Sequence, residues 1–321
     1  MNAIDETSPR QPRRHPVWHV LRIGGLVAGL GFLAWIFARL LRDPGAAFDR
    51  VRLTGFIAAL VVGVAANAAV GALFGTLIEK LAPDIPARRR IGSYYWSQLA
   101  KYVPGRIAAI LVQSATLNTP GAVAITLITN IELIAITTAL CTVAALACLA
   151  AASNVALAAA IALAGTLAGA WAIRLDWTPL MRRAASIFRF AVPAGTHEET
   201  KPSFARALAL GAGSLVLPAA SMYVLLAAGF GFESARALSL TAALLLSWVG
   251  GMLAVVFPAG IGIRELLFMG AGATLTQAAT PEQLAAIALM SRLIQVLTDI
   301  SGTALFAVFD LATKARADKK P

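Results

Sequence analysis

The sequence predicts an all-α polytopic membrane protein with six transmembrane helices and two re-entrant, broken-helix hairpins in an inverted repeat. Three observations lead to this fold class. The 321 residues are 59% hydrophobic and 13% charged, and the mean hydropathy of +0.76 exceeds that of ordinary soluble domains. Several uncharged stretches reach the roughly 20 residues that a helix needs to cross a hydrocarbon core. Two further apolar stretches are interrupted by proline and glycine.

The six crossings follow from the apolar stretches and the charged segments between them. We place them at 22–40, 54–78, 121–150, 153–174, 205–229 and 283–310. A polar and then basic tail, residues 1–20, precedes the first crossing, and no small-residue cleavage site separates the two. We therefore interpret the first crossing as a retained signal anchor and not as a cleaved signal peptide.

The two interrupted stretches predict the hairpins. The first hairpin, 91–117, contains Pro-Gly at 104–105, and the second, 238–276, contains a proline and glycine break at 258–262. Proline removes a backbone donor and clashes with the preceding turn, whereas glycine tolerates an unwound backbone. Each break therefore predicts two half-helices joined by an irregular segment. The alternative is that these residues only kink a long helix, which membrane helices often tolerate.

Basic residues set the predicted orientation. They cluster in the N-terminal tail, after the second crossing, after the fourth crossing and at the C-terminus. All four clusters lie on one side if each hairpin enters and leaves by the same face. The positive-inside rule then predicts a multi-pass inner-membrane protein with both termini in the cytoplasm. The loop with Arg42, Arg50 and Arg52 is the exception, although Asp43 and Asp49 accompany it.

The order crossing, hairpin, crossing occurs twice, with an offset of about 150 to 160 residues. Because the two units would begin on opposite sides of the membrane, they would form an inverted repeat. This architecture is typical of transporters, whose broken helices mark a substrate site near the midplane. The predicted organisation is a cytoplasmic tail at 1–20, a transmembrane unit at 21–175, a cytoplasmic amphipathic linker at 176–203, a second transmembrane unit at 204–311 and a cytoplasmic basic tail at 312–321.

Charged residues flank both predicted breaks. Lys101 and Arg106 lie beside the first break, and Arg264 and Glu265 follow the second. Charge at hydrocarbon depth costs about 3 kcal/mol or more per residue, so such groups normally face a cavity. Half-helix N-termini add positive charge, which predicts two cationic sites for a phosphate or carboxylate. The alternative is that these residues anchor the hairpins in the headgroup region. Gln98 could line a pathway or form an interhelical hydrogen bond.

A second set of polar residues lies within the crossings. Arg292, Gln295 and Asp299 recur at i, i+3 and i+7 on one face of the last crossing, and Glu132 lies inside the third. An Arg292–Asp299 or Arg292–Glu132 ion pair would lower the insertion cost. The rival hypothesis is that one of these carboxylates couples transport to protons.

Several functional classes lack the residues that they need. The histidines, His15, His19 and His197, lie outside or at the edge of the apolar segments. A Ser-His intramembrane protease and a histidine metal site are therefore not predicted. Cys141 and Cys148 are expected to be packing residues on one helix face. No phosphate-binding glycine loop followed by Lys-Ser or Lys-Thr occurs, so direct use of ATP is not expected.

No metal and no cofactor is predicted. The net charge of +11 follows the short segments between apolar stretches, which is typical of membrane orientation and not of a nucleic-acid-binding face. A basic soluble tail that binds nucleic acid is the alternative interpretation of this charge.

Two segments resemble the paired signatures of a known family. SQLAKYVPGR at 97–106 and FPAGIGIRELL at 257–267 are similar to motifs of the flippase-like family related to the transmembrane region of lysylphosphatidylglycerol synthases. The resemblance covers about residues 20 to 312. It places these residues at the family's motif positions: Lys101, Pro104, Gly105, Pro258, Gly260, Gly262, Arg264 and Glu265.

The resemblance implies translocation of an anionic phospholipid, a polyprenyl-phosphate-linked lipid or a hopanoid-type lipid, with its headgroup near Lys101, Arg106 and Arg264. Ala259 stands where the family commonly has a second glycine, so the second loop is less permissive. The sequence ends about ten residues after its last crossing, so we expect neither a soluble aminoacyl-transfer domain nor synthesis of that lipid.

The predicted partner is therefore a membrane lipid, and an enzymatic activity is not predicted. Two alternatives remain at this point. The first is a non-transporting membrane scaffold for a lipid-modifying synthase or glycosyltransferase, which would be a second partner. The other is an intramembrane enzyme that acts on lipid phosphates.

Overall fold

A computed structural model describes residues 51–102, 107–177, 179, 201–253, 263–276 and 280–317. These residues form helices joined by short turns, without a β-strand among them. The helices are α1 (Leu53–Leu81), α2 (Ala87–Gln98), a 3₁₀ turn (Ala100–Tyr102), α3 (Ile107–Leu117), α4 (Ala122–Ala151), α5 (Val155–Arg174), α6 (Phe204–Val224, continued by a π-helix at Leu225–Gly229), α7 (Ser234–Leu253), α8 (Ile263–Leu275) and α9 (Pro281–Ala317).

Six of the described helices are long and apolar enough to cross a membrane: α1, α4, α5, α6 with its π-helical end, α7 and α9. The all-helical membrane fold class is therefore confirmed at this level. Five of these helices coincide with predicted crossings. The predicted first crossing, 22–40, lies outside the described residues, as do the tail at 1–20 and most of the linker at 176–203.

Helix α7 coincides with most of the first half-helix predicted for the second hairpin, which runs from 238 to the break at 258. It has 20 residues. At about 1.5 Å per residue, it extends for about 30 Å, which is the thickness of a hydrocarbon core. Residues 237–253 carry neither proline nor charge, so nothing in this stretch ends the helix early. Helix α8 has 13 residues and is too short to cross on its own.

Two helical pairs lie between the long helices. In the first helical pair, α2 packs against α3, and in the second, α7 packs against α8. The last helix, α9, contacts both α2 and α8. The order long helix, helical pair, long helix thus occurs twice, as α1, α2 with α3, α4 and again as α6, α7 with α8, α9. The last helix meets both pairs, and so does α4, which contacts α3 and α7.

Local signals fix several helix ends. Asn154 caps α5, and its side chain accepts a hydrogen bond from the Leu157 backbone N–H at 3.0 Å. Ser203 caps α6 in the same way. Pro281 occupies the first position of α9, where a missing N–H costs nothing because that donor has no intrahelical partner.

Helices α1 and α6 approach each other closely at one glycine. A Cβ atom on Gly55 would lie 2.3 Å from the backbone carbon of Ala228 and from the backbone nitrogen of Gly229. Next to this contact, the backbone N–H of Arg52 donates to the Gly229 carbonyl at 2.9 Å. The π-helical end of α6 therefore packs backbone to backbone against the start of α1, and only glycine fits at position 55.

The two cysteines pack in the apolar interior, as the sequence predicts. Cys141 and Cys148 are buried free thiols on α4, within one cluster of apolar side chains from α1, α4, α5, α6 and α7.

Candidate functional site

The last helix forms ion pairs of opposite polarity with the two helical pairs. Arg292 and Asp299 lie two turns apart on α9. The Asp299 carboxylate binds the Lys101 ammonium of the first helical pair, with 2.8 Å between Oδ2 and Nζ. The Arg292 guanidinium binds the Glu265 carboxylate of the second helical pair, with 2.6 Å between Nε and Oε1. Helix α9 thus presents an anion to one pair and a cation to the other.

The Asp299 carboxylate is satisfied by two donors from consecutive residues. The Tyr102 hydroxyl donates to Oδ2 at 2.6 Å, alongside the Lys101 ammonium. Lys101 also donates to the Gln98 side-chain carbonyl at 2.8 Å. The 3₁₀ turn brings both donors to the carboxylate. The charge of Lys101 is therefore neutralised in this conformation and is not displayed to a ligand.

Arg264 has a different environment. It is only 6% exposed at the start of α8, and its guanidinium carbon lies 4.5 Å from the centre of the Trp248 ring of α7. Nη1 donates to the Gln295 side-chain carbonyl of α9. The indole ring and the Gln295 side chain together restrict the position of the guanidinium.

Two neighbouring donors at this position lack acceptors. Nη2 of Arg264 and Nε1 of Trp248 are buried, and neither makes a hydrogen bond within the described part of the chain. A buried donor without an acceptor costs about 1–3 kcal/mol, and more when it is charged. Such a cost is uncommon in a folded protein, so an acceptor placed beside these donors would be stabilising.

A narrow crevice adjoins Arg264 between α7, α8 and α9. Its walls are formed by Leu244, Ser247, Arg264, Glu265, Phe268, Ala288 and Ser291. The crevice is too narrow in this conformation to admit a water molecule. A ligand would therefore reach Arg264 only after α8 moves away from a neighbouring helix. The hydroxyls of Ser247 and Ser291 donate to the Leu244 and Ala288 carbonyls, so each would have to turn away from its carbonyl to donate to an anion.

Glu132 has a different partner from those predicted. Its carboxylate binds the Lys80 ammonium at 2.6 Å, and both side chains are almost fully buried. Lys80 also donates to the Leu175 carbonyl at 2.8 Å. This pair joins α4 to the ends of α1 and α5, which is a structural role.

The predicted Arg292–Asp299 and Arg292–Glu132 pairs were therefore wrong as pairings. Each of the three residues is ion-paired with a side chain from another helix. The side chains of Arg292 and Asp299 do share one face of α9, as their spacing predicts, but they turn towards different helical pairs.

The structure brings together Gln98, Lys101 and Asp299 in one group, and Arg264, Glu265, Arg292 and Gln295 in another. The remaining predicted site residues lie outside the described residues: Pro104, Gly105, Arg106, Pro258, Gly260 and Gly262. Among the residues that the structure describes, no three His, Cys, Asp or Glu side chains converge to hold a metal ion.

Sequence reasoning missed several residues of these groups. Tyr102 follows Lys101 directly, so its hydroxyl was a detectable candidate within the same motif. Trp248, Ser247 and Ser291 carry no charge and lie within long apolar helices, where nothing in the sequence marks them. Lys80 ends an apolar run and resembles an ordinary interface anchor.

A second cavity lies where α2, the end of α3 and α9 meet. It has a volume of about 430 Å³ and is lined by Pro86, Arg88, Arg89, Gly92, Trp96, Thr116, Phe306 and Asp310. We call it the α2–α9 groove. The Arg88 guanidinium donates to the Asp310 carboxylate, and this hydrogen bond raises the pKa of Arg88.

Arg90, which follows on the same helix, is buried beside Glu79 at 3.2 Å. Its burial lowers its pKa. Because arginine stays protonated far above neutral pH, neither shift removes the positive charge.

A comparison with protein-family models finds no match to this chain, and a comparison with curated proteins finds none either. The resemblance to the flippase-like family therefore stays a prediction from the two motifs.

Proposed function

We propose that this protein binds the anionic headgroup of a membrane lipid at Arg264 and moves the lipid between leaflets. One observation carries the proposal. Arg264 and Trp248 each hold a buried donor without an acceptor, side by side, in a helical membrane protein. A phosphate oxygen satisfies such donors, because arginine binds phosphate through short, charge-assisted hydrogen bonds.

The substrate class follows from this chemistry. The donor pair requires an anion, which favours an anionic phospholipid or a polyprenyl-phosphate-linked lipid over a lipid without a charged headgroup. The acyl or prenyl chains would stay in the bilayer, since many described helices expose large apolar side chains. The protein would thus shield only the headgroup, which is the part that bears the cost of crossing hydrocarbon.

The proposed mechanism alternates the exposure of Arg264. In the conformation described above, the crevice is closed and Lys101 is neutralised by Asp299. Movement of α8 away from α7 or α9 would open Arg264 to one leaflet. A headgroup that accepts from Arg264 offsets the cost of its unsatisfied donors, so ligand binding favours the open state.

The proposal includes the membrane topology predicted above. The two helical pairs would act as re-entrant hairpins that enter from opposite faces, with α7 long enough to reach the full depth of the hydrocarbon core. The two units would form an inverted repeat in the inner membrane with cytoplasmic termini. The repeated order of long helices and helical pairs supports this arrangement.

The test uses purified protein in liposomes with a fluorescently labelled anionic phospholipid or polyprenyl phosphate. Arg264→Gln is expected to slow translocation about tenfold or more, because a hydrogen bond to a charged group contributes about 1.5–3 kcal/mol. Trp248→Phe keeps an aromatic ring for stacking and removes the indole donor, so a smaller loss is expected.

Arg236→Gln is the matched control. Arg236 also stacks on an aromatic ring, that of Phe232 at 4.6 Å, and also donates to a glutamine, Gln283. It lies at the other end of α7, so its loss should leave translocation unchanged. Equal rates for Arg264→Gln and wild type would contradict the proposal. If wild-type protein moves no lipid but co-purifies with a lipid-modifying synthase, the scaffold function replaces the translocation function.

A further inference from the structure

The α2–α9 groove combines a positive end with an apolar floor. Arg89, Gly92 and Trp96 recur at i, i+3 and i+7 and therefore lie along one face of α2. Across the groove, Phe306 of α9 packs edge-on against Trp96, with 6.4 Å between ring centres. The groove thus runs from a guanidinium to an aromatic wall over about 10 Å of helix.

The positive end lies at a membrane boundary. Arg88 binds Asp310 of α9, which is the first charged residue after ten uncharged ones, and Lys314 and Arg316 follow it in the sequence. On the other side, the apolar span of α1 ends at Leu81, just before α2 begins. Arg88 and Arg89 therefore lie at headgroup depth, and Trp96 lies deeper.

The positive charge of Arg89 is available to a ligand at this position. Arg88 is paired with Asp310, but Arg89 makes no ion pair within the described residues and only a long hydrogen bond, 3.5 Å, to the Leu117 carbonyl. The exposed guanidinium stands above a cavity of about 430 Å³, which lies within the size range of small-ligand sites. Trp96 is 44% exposed although its ring is large and mostly apolar.

Gly92 lies between these two residues on α2. A Cβ atom at this position would lie 3.0 Å from the Phe306 ring. The absence of a side chain therefore lets this ring pack directly on α2 and form the apolar floor of the groove. A ligand that fits must be anionic at one end and apolar along its length, and both properties belong to a phospholipid.

We infer that the α2–α9 groove binds an anionic membrane phospholipid, whose phosphate contacts Arg89 and whose upper acyl chain packs against the apolar wall formed by Trp96 and Phe306. This site is separate from the Arg264 crevice and does not depend on the function proposed there. By the orientation predicted from the basic segments, the bound lipid belongs to the cytoplasmic leaflet, where anionic lipids attract basic residues. The lipid would bridge α2 to α9.

The test measures quenching of Trp96 fluorescence by brominated lipids in nanodiscs that contain the full chain. The bromine atoms are on the acyl chains of either phosphatidylglycerol or phosphatidylcholine, and the two lipids are compared at equal mole fraction. The Trp96→Phe variant supplies the signal of the other tryptophans, which is subtracted. We expect the anionic lipid to quench Trp96 about fivefold more effectively, which is the effect of one basic residue near a bilayer surface.

Arg89→Gln is expected to remove this preference. Lys201→Gln, which removes another exposed positive charge on the side of the membrane predicted for Arg89, should retain it. Arg264→Gln should also retain it, so failure of the translocation proposal and failure of this one are distinguishable. Thermal unfolding of each variant checks that it is folded.

Equal quenching by the two lipids in wild-type protein, or an unchanged preference in Arg89→Gln, would overturn the inference. So would a Trp96 signal that neither lipid quenches, because another part of the chain, such as residues 1–50, would then cover the groove.

Discussion

Lys101 and Asp299 form an ion pair with 2.8 Å between Nζ and Oδ2, and this pair ties the first helical pair to the last helix. The carboxylate is nearly buried, whereas the lysine side chain is 27% exposed. Removal of Asp299 would leave a partly exposed ammonium without its counter-ion. Several properties of the protein should follow from this and the other buried contacts.

A double-mutant cycle should reveal the coupling between these residues. Asp299→Ala is expected to lower the free energy of unfolding by about 3 kcal/mol, at the lower end of the range for breaking a buried pair because Lys101 is partly hydrated. Lys101→Ala in the same chain should recover about 1–2 kcal/mol of that loss. Denaturation in detergent micelles measures both values. Strictly additive effects would show that the pair contributes nothing.

The Lys80–Glu132 pair should be structural and not coupled to transport. Glu132→Gln leaves the buried ammonium of Lys80 without a counter-ion, so a loss of about 3–5 kcal/mol in the free energy of unfolding is expected. The purified Glu132→Gln variant should translocate lipid, and the dependence of its translocation rate on pH should be unchanged.

Lys80→Met combined with Glu132→Leu is the companion variant. Replacing both charges by apolar side chains of similar size should restore most of the stability, since buried pairs are often no better than apolar contacts. A shifted pH profile in Glu132→Gln would instead support a proton-linked role for this carboxylate.

The closest approach of α1 and α6 should tolerate no side chain. Gly55→Ala places a methyl group 2.3 Å from the backbone of the π-helix, and this backbone cannot move aside as a flexible side chain could. The folded yield and thermal stability should therefore fall sharply. Gly270→Ala on α8 is the control, because a Cβ atom there has no neighbour within 4 Å. It should be neutral or stabilising by up to about 1 kcal/mol.

The inverted topology should be visible by cysteine labelling. In a chain with Cys141→Ala and Cys148→Ala, Asp84→Cys and Pro120→Cys flank the first helical pair, and Glu233→Cys and Thr280→Cys flank the second. Members of the same set should react with an impermeant maleimide from the same side of the membrane, and the two sets from opposite sides. Labelling of all four positions from one side would contradict the inverted repeat.

The fold was largely predictable because a membrane imposes one dominant requirement on sequence. A run such as that of α4 must be uncharged and about 20 residues long, and this can be counted. The helix before Pro258 could also be predicted, because residues 237–253 carry neither proline nor charge. The sequence does not decide whether such a helix crosses the membrane or forms one arm of a hairpin, since both are apolar.

The charged residues of the site were equally detectable, because a charge within an apolar run is costly and therefore stands out from its neighbours. The ion-pair partners of these residues could not be predicted. Glu132 binds Lys80 from another helix, and this choice depends on how α1 and α4 are rotated about their axes. Trp248 matters only because α7 and α8 bring its ring over Arg264. Contacts of this kind depend on packing between helices, which periodicity within one helix does not contain.

The position of α9 between the two helical pairs has a mechanical consequence. Helix α9 carries a carboxylate that binds the first helical pair and a guanidinium that binds the second. It therefore cannot shift along its axis without straining both ion pairs. A movement of one helical pair would therefore be coupled to a movement of the other, and a ligand that weakens one ion pair would affect the other. Concerted motion would then arise from the two ion pairs of α9 and would not require contact between the ends of the two helical pairs.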